Sequence, residues 1–505
     1  MALKELGRRA DALGVGAAKL LVSFAVLGGG FRAVSDDDYA RVVIAERFVT
    51  APRLDPSGTS WLPLPFWIYG ASLRLFGVGL GVARVTAIFL GVLAVLLLLG
   101  AARLLGAGRA GAVLGVLVAA LFPWSAWLGA ATVPEAPTAA LIVFALATLA
   151  TSTLRERLLG AVAIAAACFS RYEAWPAALG FAAFTTYDAA RALGANTTYD
   201  TVRSDDSVRS GDAARRYGLL LLAAGAVSLS AIALWLLHGT FVHGDTFFFW
   251  KRVAGYRHAL GGEAPLAERL LAVPRALVTD EPELALGCVL FAPGLLSARY
   301  ARPTLVSLML AVFLAAGELS GGGPTHHGGR AVLPLWYLAA LALGDAIGRR
   351  VEHARRPKAW LVLAPLLVAL GWLFRIAVPP GFPDRNEAVQ IGAEARRLHA
   401  PALLIDTPDY SYLAVIAAFG APRAAEPFDD HDPRHPRPPN PFASEATLRA
   451  FAATHPDAWL VVSRAHASLA ARLGRIVTET PEFVLVAEDP RPDSAGAPAR
   501  RTRAR

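Results

Sequence analysis

Long apolar runs alternate with short polar segments along most of the 505-residue chain. Runs such as 82–99 and 219–237 are long enough, as helices, to cross the hydrocarbon of a bilayer. A lone segment in lipid satisfies all its backbone hydrogen bonds only as a helix, so the pattern predicts a polytopic α-helical membrane protein. Spans are predicted at about 15–34, 81–101, 110–129, 136–153, 158–169, 175–190, 218–238, 284–297, 303–318, 331–347 and 359–378, about eleven in all. Beyond residue 379 the pattern changes. Helix-like and strand-like segments, such as 402–406 and 458–462, flank a Pro-, His- and Asp-rich loop at about 426–442. The predicted organisation is a transmembrane domain over 1–378 with a first outer loop at 35–80, a small α/β domain over 379–490, and a basic disordered tail over 491–505. No tandem repeat is visible.

Composition agrees with a membrane chain: 55% hydrophobic, only 18% charged, mean hydropathy +0.45. The net charge of +9 does not point to nucleic acid. The arginines cluster in short segments between apolar runs, which is the distribution that orients membrane proteins. Lys4, Arg8, Arg9 and Lys19 are read as preceding the first span, which places the N-terminus in the cytoplasm and Asp36 outside. The alternation then puts Glu135, the segment 170–175, the loops 239–283 and 317–330, and the domain after 379 on the outer face. The predicted location is the inner (plasma) membrane, multi-pass. The first run passes straight into an acidic stretch with no small-x-small cleavage site, so it reads as a retained span. Cys168 and Cys288 lie in apolar runs and read as small core residues.

The candidate chemistry gathers on that outer face. Asp36, Asp37 and Asp38 stand together just after the first span. Ser35 and Asp38 fit a capping box, and acids suit a first helical turn, which leaves Asp36 and Asp37 without a structural reason. Glu135 sits between Pro134 and Pro137, either as a first-turn acid or as a second acid of a shared site. Arg171 and Glu173 flank Tyr172 and either pair with each other or meet a substrate. Arg330 follows the glycine-rich stretch with His326 and His327, and reads as a phosphate clamp or as a snorkelling interfacial arginine. Zinc at the two adjacent histidines is disfavoured, because no third ligand is near in sequence. Lys251 and Arg252 follow the aromatic run Phe247–Trp250, which suits a lipid head group at the bilayer surface. Carboxylates and cations on one membrane face suit group transfer from a lipid phosphate. The acids would take the acceptor proton, and cations or a metal would stabilise the departing phosphate.

Five motifs, in order, carry a resemblance: SDDDYARVVIAERFV after the first span, WLPLPFWIYGASLRLFG before the second, VPEAP, SRYEAWP, and HHGGRAVLPLWYLAALALG at the tenth. Over about residues 15–378 the chain resembles the GT-C superfamily of integral-membrane glycosyltransferases. The likeness is to the bacterial branch related to protein O-mannosyltransferases and aminoarabinose transferases. That resemblance implies transfer of a sugar, with inversion, from a polyprenyl-phosphate donor to a lipid, glycan or protein acceptor. It implies that Asp36 or Asp37 is the base or faces a divalent metal (Mg or Mn), and that Glu135 is the second acid. Arg330, His327, Lys251 and Arg252 would hold the donor phosphate. Asp38, Tyr39, Trp61, Arg171, Tyr172 and Glu173 would line the substrate. The sequence departs from the pattern at Leu62-Pro-Leu-Pro65, where many relatives have His-Pro-Pro. It also lacks the Trp-Trp-Asp signature of oligosaccharyltransferases and the β-trefoil domain of eukaryotic O-mannosyltransferases. The rival expectation is a transporter or flippase of lipid-linked or polar solutes, which would place charges near the bilayer midplane.

Overall fold

The computed structural model describes residues 2–194, 205–260, 264–295, 297–320, 328–353, 361–406 and 409–488. As far as Ala377 it is helical. In order, α1 is Ala2–Gly28, α2 Asp37–Thr50, α3 Leu64–Phe76, α4 Leu80–Leu104, α5 Arg109–Leu121, α6 Pro123–Leu128, α7 Glu135–Thr148 and α8 Leu154–Cys168. There follow α9 Ala174–Gly194, α10 Asp205–His243, α11 Phe248–Ala259, α12 Leu266–Thr279, α13 Pro282–Leu295, α14 Ala301–Leu319 and α15 Leu333–His353. Among the described residues, Gly7–Gly28, Leu80–Leu104, Asp212–His243 and Ala298–Leu319 are long and apolar enough to cross a membrane. Shorter apolar helices, Arg109–Leu121, Glu135–Thr148, Pro282–Phe291 and Leu363–Ala377, accompany them.

The structure departs from the predicted spans in places that matter. The span expected at 110–129 is broken. α5 stops at Leu121, Phe122 is extended, and Pro123 starts α6. Proline disfavours a helical residue before it and has no N–H to continue the ladder, so the break falls where the chemistry requires. The loop expected at 239–283 contains α11 and α12. Lys19, expected to flank the first span, lies inside it at 1% exposure, with Nζ donating to the Ser125 carbonyl at 2.8 Å. That bond ties α1 to α6.

Helix α15, which carries the segment after Arg330, packs very closely on α5. A Cβ on Gly344 would stand 2.2 Å from the Gly115 Cα, and one on Gly348 2.5 Å from the Gly111 Cα. Small residues four apart on both helices are what allow this approach.

After residue 385 the chain forms the helix Asn386–Arg397 and a five-stranded sheet: β1 Ala402–Ile405, β2 Ala425–Pro427, β3 Ala458–Ser463, β4 Gly474–Glu479 and β5 Phe483–Glu488. The order is β2-β1-β3-β5-β4, with β1 parallel to both β2 and β3, and β5 antiparallel to β3 and β4. Val461, Val462, Leu485 and Val486 alternate to the two faces of this sheet, and both faces are covered. The helices Asn386–Arg397 and Tyr412–Phe419 share one core with the outer-loop helices. Ala388, Ile391, Val415 and Phe419 pack with Tyr39, Val42 and Val43 of α2 and with Tyr69 and Leu73 of α3. The acidic helix α2 therefore has the C-terminal layer against one of its faces.

Candidate active site

Glu135 is the first residue of α7, behind Pro134. It is 1% exposed, and its Oε1 accepts from Arg330 Nε at 2.8 Å and from Arg171 Nη1 at 2.5 Å. Arg330 Nη2 lies 2.7 Å from the same oxygen. Arg330 itself ends the 3-10 turn Gly328–Arg330 ahead of α15. Its Nη1 donates to Ser35 Oγ at 3.0 Å and to Asp37 Oδ2 at 3.2 Å. At 6% exposure it is buried and paired, not snorkelling. Burial works against its charge, but Glu135, Asp37 and Asp38 outweigh that and hold its basicity above the ordinary arginine value.

Arg171, in the turn between α8 and α9, makes the pair with Glu173 that was one of its expected readings. It pairs with Glu173, its Nε donating at 3.1 Å to each carboxylate oxygen, and it reaches Glu135 as well. The chain Asp37–Arg330–Glu135–Arg171–Glu173 thus joins the first outer loop, the start of α7, the α8–α9 turn and the head of α15. Charge-assisted bonds of this kind are the strong ones, and a buried carboxylate needs them.

The three aspartates separate. Asp38 is buried. Its Oδ2 accepts from the Val34 and Ser35 amides at 3.0 and 3.3 Å, and its Oδ1 from the Thr132 amide at 2.9 Å. It pins the start of α2 to the loop that precedes Glu135. Of the expected capping box, Asp38 supplies the reach back to the Ser35 amide, while the Ser35 hydroxyl is turned to Arg330. Asp36 precedes α2 and makes no cap bond. Arg385 holds it by two bonds, Nε to Oδ1 at 2.8 Å and Nη2 to Oδ2 at 2.9 Å, and reaches Asp409 with Nη1 at 2.7 Å. Asp37 meets Arg330 and is 27% exposed.

Other expected residues lie elsewhere. Tyr39 is buried in the core shared with the C-terminal helices. Tyr172 donates to the Ser60 carbonyl at 2.6 Å, accepts from Trp235 Nε1, and stacks on Phe249 at 4.5 Å. Lys251 pairs with Asp245 at 2.6 Å, and Arg434 Nη1 donates to the Arg252 carbonyl at 3.5 Å; no described contact joins either residue to Glu135 or Arg330. His326 and His327 lie outside the described residues. Trp61 forms a shelf for Arg41, whose guanidinium carbon is 4.5 Å from its ring centroid.

Two residues were missed by sequence reading. Arg41 follows Asp37 by four positions on α2, and that spacing places both on one face, so the signal was available. Arg385 gave none, because only the tertiary fold brings it to Asp36.

A divalent ion at Asp36 and Asp37 does not fit this arrangement. Arg385 already holds Asp36 by both carboxylate oxygens, and Arg330 meets Asp37. Among the described residues, the one group of three or more carboxylate, His or Cys ligand atoms within 4.8 Å of one another belongs to Asp55, His238 and His243.

Two solved structures of ArnT from Cupriavidus metallidurans resemble this chain over nearly its full length. The apo form aligns with TM-score 0.52 and 15% identity, covering 94% of this chain and 97% of ArnT. The form bound to undecaprenyl phosphate aligns with TM-score 0.54 and 13% identity, covering 96% and 98%. The chain has the GT-C fold. The archaeal oligosaccharyltransferase AglB from Archaeoglobus fulgidus aligns less well, with TM-score 0.45 and 13% identity over 91% of this chain and 71% of AglB. No family model matches the sequence, and no curated protein matches it by sequence. At this identity the likeness is one of fold. Within the GT-C fold of this chain, Asp37, Glu135, Arg171, Glu173 and Arg330 come together, while Asp36 turns to the C-terminal layer.

Proposed function

We propose that this protein is an integral-membrane glycosyltransferase that moves a sugar from a polyprenyl-phosphate donor to an acceptor on the extracytoplasmic face, with inversion. The observation that carries this reading is the Asp37–Arg330–Glu135–Arg171 cluster, drawn from segments far apart in the chain and set beside an apolar cleft. That cleft is lined by Leu64, Leu90, Leu97 and Leu141, and its wall includes Pro134 and Ser170, the neighbours of Glu135 and Arg171. An amphiphile with an anionic head and a prenyl tail matches both surfaces. The ArnT likeness supports the same reading, since one of its structures holds undecaprenyl phosphate.

In this reading Asp37, the most exposed acid of the cluster, takes the proton of the acceptor hydroxyl. The acceptor oxygen bonds to the anomeric carbon as the bond from that carbon to the phosphate oxygen breaks. The polyprenyl phosphate leaves with the bonding pair, and Arg330 and Arg171 place positive charge where that negative charge collects. Glu135 keeps both guanidiniums in position. A transporter would need charges along a midplane path; the buried Lys19 within α1 is instead held by the Ser125 carbonyl.

The test is purified protein in nanodiscs, offered a panel of labelled polyprenyl-phosphate sugars with membrane-lipid extract as acceptor. Release of polyprenyl phosphate matched by label in a new product supports the reading. Protein that consumes no donor in the panel yet moves the intact lipid across a bilayer overturns it.

A further inference from the structure

Arg41 is buried, at 6% exposure, and its Nε and Nη1 have no hydrogen-bond partner among the described residues. Its guanidinium rests on Trp61 at 4.5 Å, with Phe66 at 5.7 Å. A cation–π contact is a weaker attraction than the penalty for burying a charged donor without a partner, so stacking alone does not account for a cation here. Burial pulls its basicity down, and Glu135 and Asp37 are the acids whose fields oppose that. No hydrogen bond joins it to either, and Glu135 Oε2 is also buried without a partner.

Arg330 stands in contrast. Its Nε and Nη2 are on Glu135, and its Nη1 is on Ser35 and Asp37. An anion could use those donors only by displacing acids that are already bound.

Resting on the glycosyl-transfer reading above, we propose that Arg41 is the residue that hydrogen-bonds the phosphate of the lipid-linked donor, with Trp61 backing its guanidinium. Arg330, its donors taken by Glu135, Ser35 and Asp37, then acts on the phosphate only through its charge and aligns Asp37 and Glu135. The Nε and Nη2 edge of a guanidinium supplies two donors in a fixed plane, the geometry that suits two non-bridging phosphate oxygens; Arg41 Nε is unpaired, and among the described residues no hydrogen bond uses its Nη2. Phe66, beneath the same guanidinium, follows Leu64 and Pro65 of the apolar cleft. Head-group site and tail cleft are therefore adjacent, which favours a prenyl phosphate over a free anion.

The experiment compares wild type, Arg41→Met and Arg41→Lys in nanodiscs. It measures binding of undecaprenyl phosphate, undecaprenol and inorganic phosphate, together with thermal unfolding without ligand. Wild type is expected to prefer undecaprenyl phosphate over undecaprenol. Arg41→Met is expected to lose at least about tenfold of that preference while unfolding at the same or a higher temperature, because it removes an unpaired buried charge. Arg41→Lys keeps the charge without the fork and is expected to lose at least about threefold. An Arg41→Met protein that keeps the preference overturns the assignment and leaves the glycosyl-transfer reading intact. If Arg41→Met does not fold, Arg41→Lys decides, and an unchanged preference there overturns the assignment. Wild type with no preference for the phosphate over the alcohol overturns both. Inorganic phosphate displacing the lipid at equal concentration overturns the lipid as source.

Discussion

Replacing Asp38 by Ala removes the acceptor that serves the amides of Val34, Ser35 and Thr132 and the Thr132 hydroxyl. A buried donor left without a partner costs about 1–3 kcal/mol. Val34 and Thr132 are buried, whereas Ser35 is only half-buried and can recruit water. Counting the two buried amides alone gives about 2–6 kcal/mol, a large part of a stability of about 5–15 kcal/mol. Asp38→Asn keeps one acceptor oxygen and is expected to cost about 1–3 kcal/mol. Asp37→Asn behaves differently. Arg330 loses that charge but keeps Glu135 and Ser35, and the exchange at a part-exposed pair costs within about 1 kcal/mol. Its effect falls on turnover, expected to drop by at least about a hundredfold. Thermal unfolding and donor turnover per folded molecule, measured on all three variants in one nanodisc preparation, separate these roles. A folded Asp38→Asn that loses turnover as Asp37→Asn was expected to, alongside an Asp37→Asn with wild-type turnover, would refute the division of labour.

Two further predictions concern the C-terminal layer. Arg385→Met breaks a bidentate, part-buried contact to Asp36, expected to weaken docking by about 1.5–3 kcal/mol. Amide exchange over Asn386–Arg397 should then quicken by about tenfold or more, and unchanged exchange would show that the contact is dispensable. Glu46 on α2 is 1% exposed with neither carboxylate oxygen hydrogen-bonded among the described residues, and burial raises its pKa to about 8 against the pull of Arg396 and Arg47. Between its ordinary value of 4.5 and about 8, the unfolded chain has released this proton and the folded one has not. Stability therefore falls as pH rises through that window, by up to about 1.4 kcal/mol per pH unit, and is unaffected by Glu46 below it. Glu46→Gln should flatten the unfolding temperature between pH 5 and pH 8. An identical pH slope in wild type and variant would contradict this.

The helical bundle was legible because lipid leaves a chain few choices: a long apolar run must be a helix. Glu135 and Arg330 were legible because each is an isolated charge at the edge of such a run, next to proline or glycine. The break at Phe122–Pro123 was readable from the proline but was absorbed into a continuous apolar run. Helices α11 and α12 were not legible because their apolar residues are too few for a span. The Arg385–Asp36 contact joins residues 349 apart and follows from the shared core of α2 and the C-terminal helices, which no local pattern announces. Asp38 was half legible: its spacing from Ser35 suggested a cap, but the bond to Thr132 depends on where α7 begins.

The central claim is that Asp37, Arg330 and Glu135 form one centre for transfer from a lipid phosphate. Its most direct test is single-turnover sugar transfer from saturating polyprenyl-phosphate donor, by wild type and by Asp37→Asn, in proteoliposomes with intact folding confirmed. Donor binding is expected within about threefold of wild type, and the transfer rate lower by at least about a hundredfold. Wild-type transfer by Asp37→Asn would contradict it.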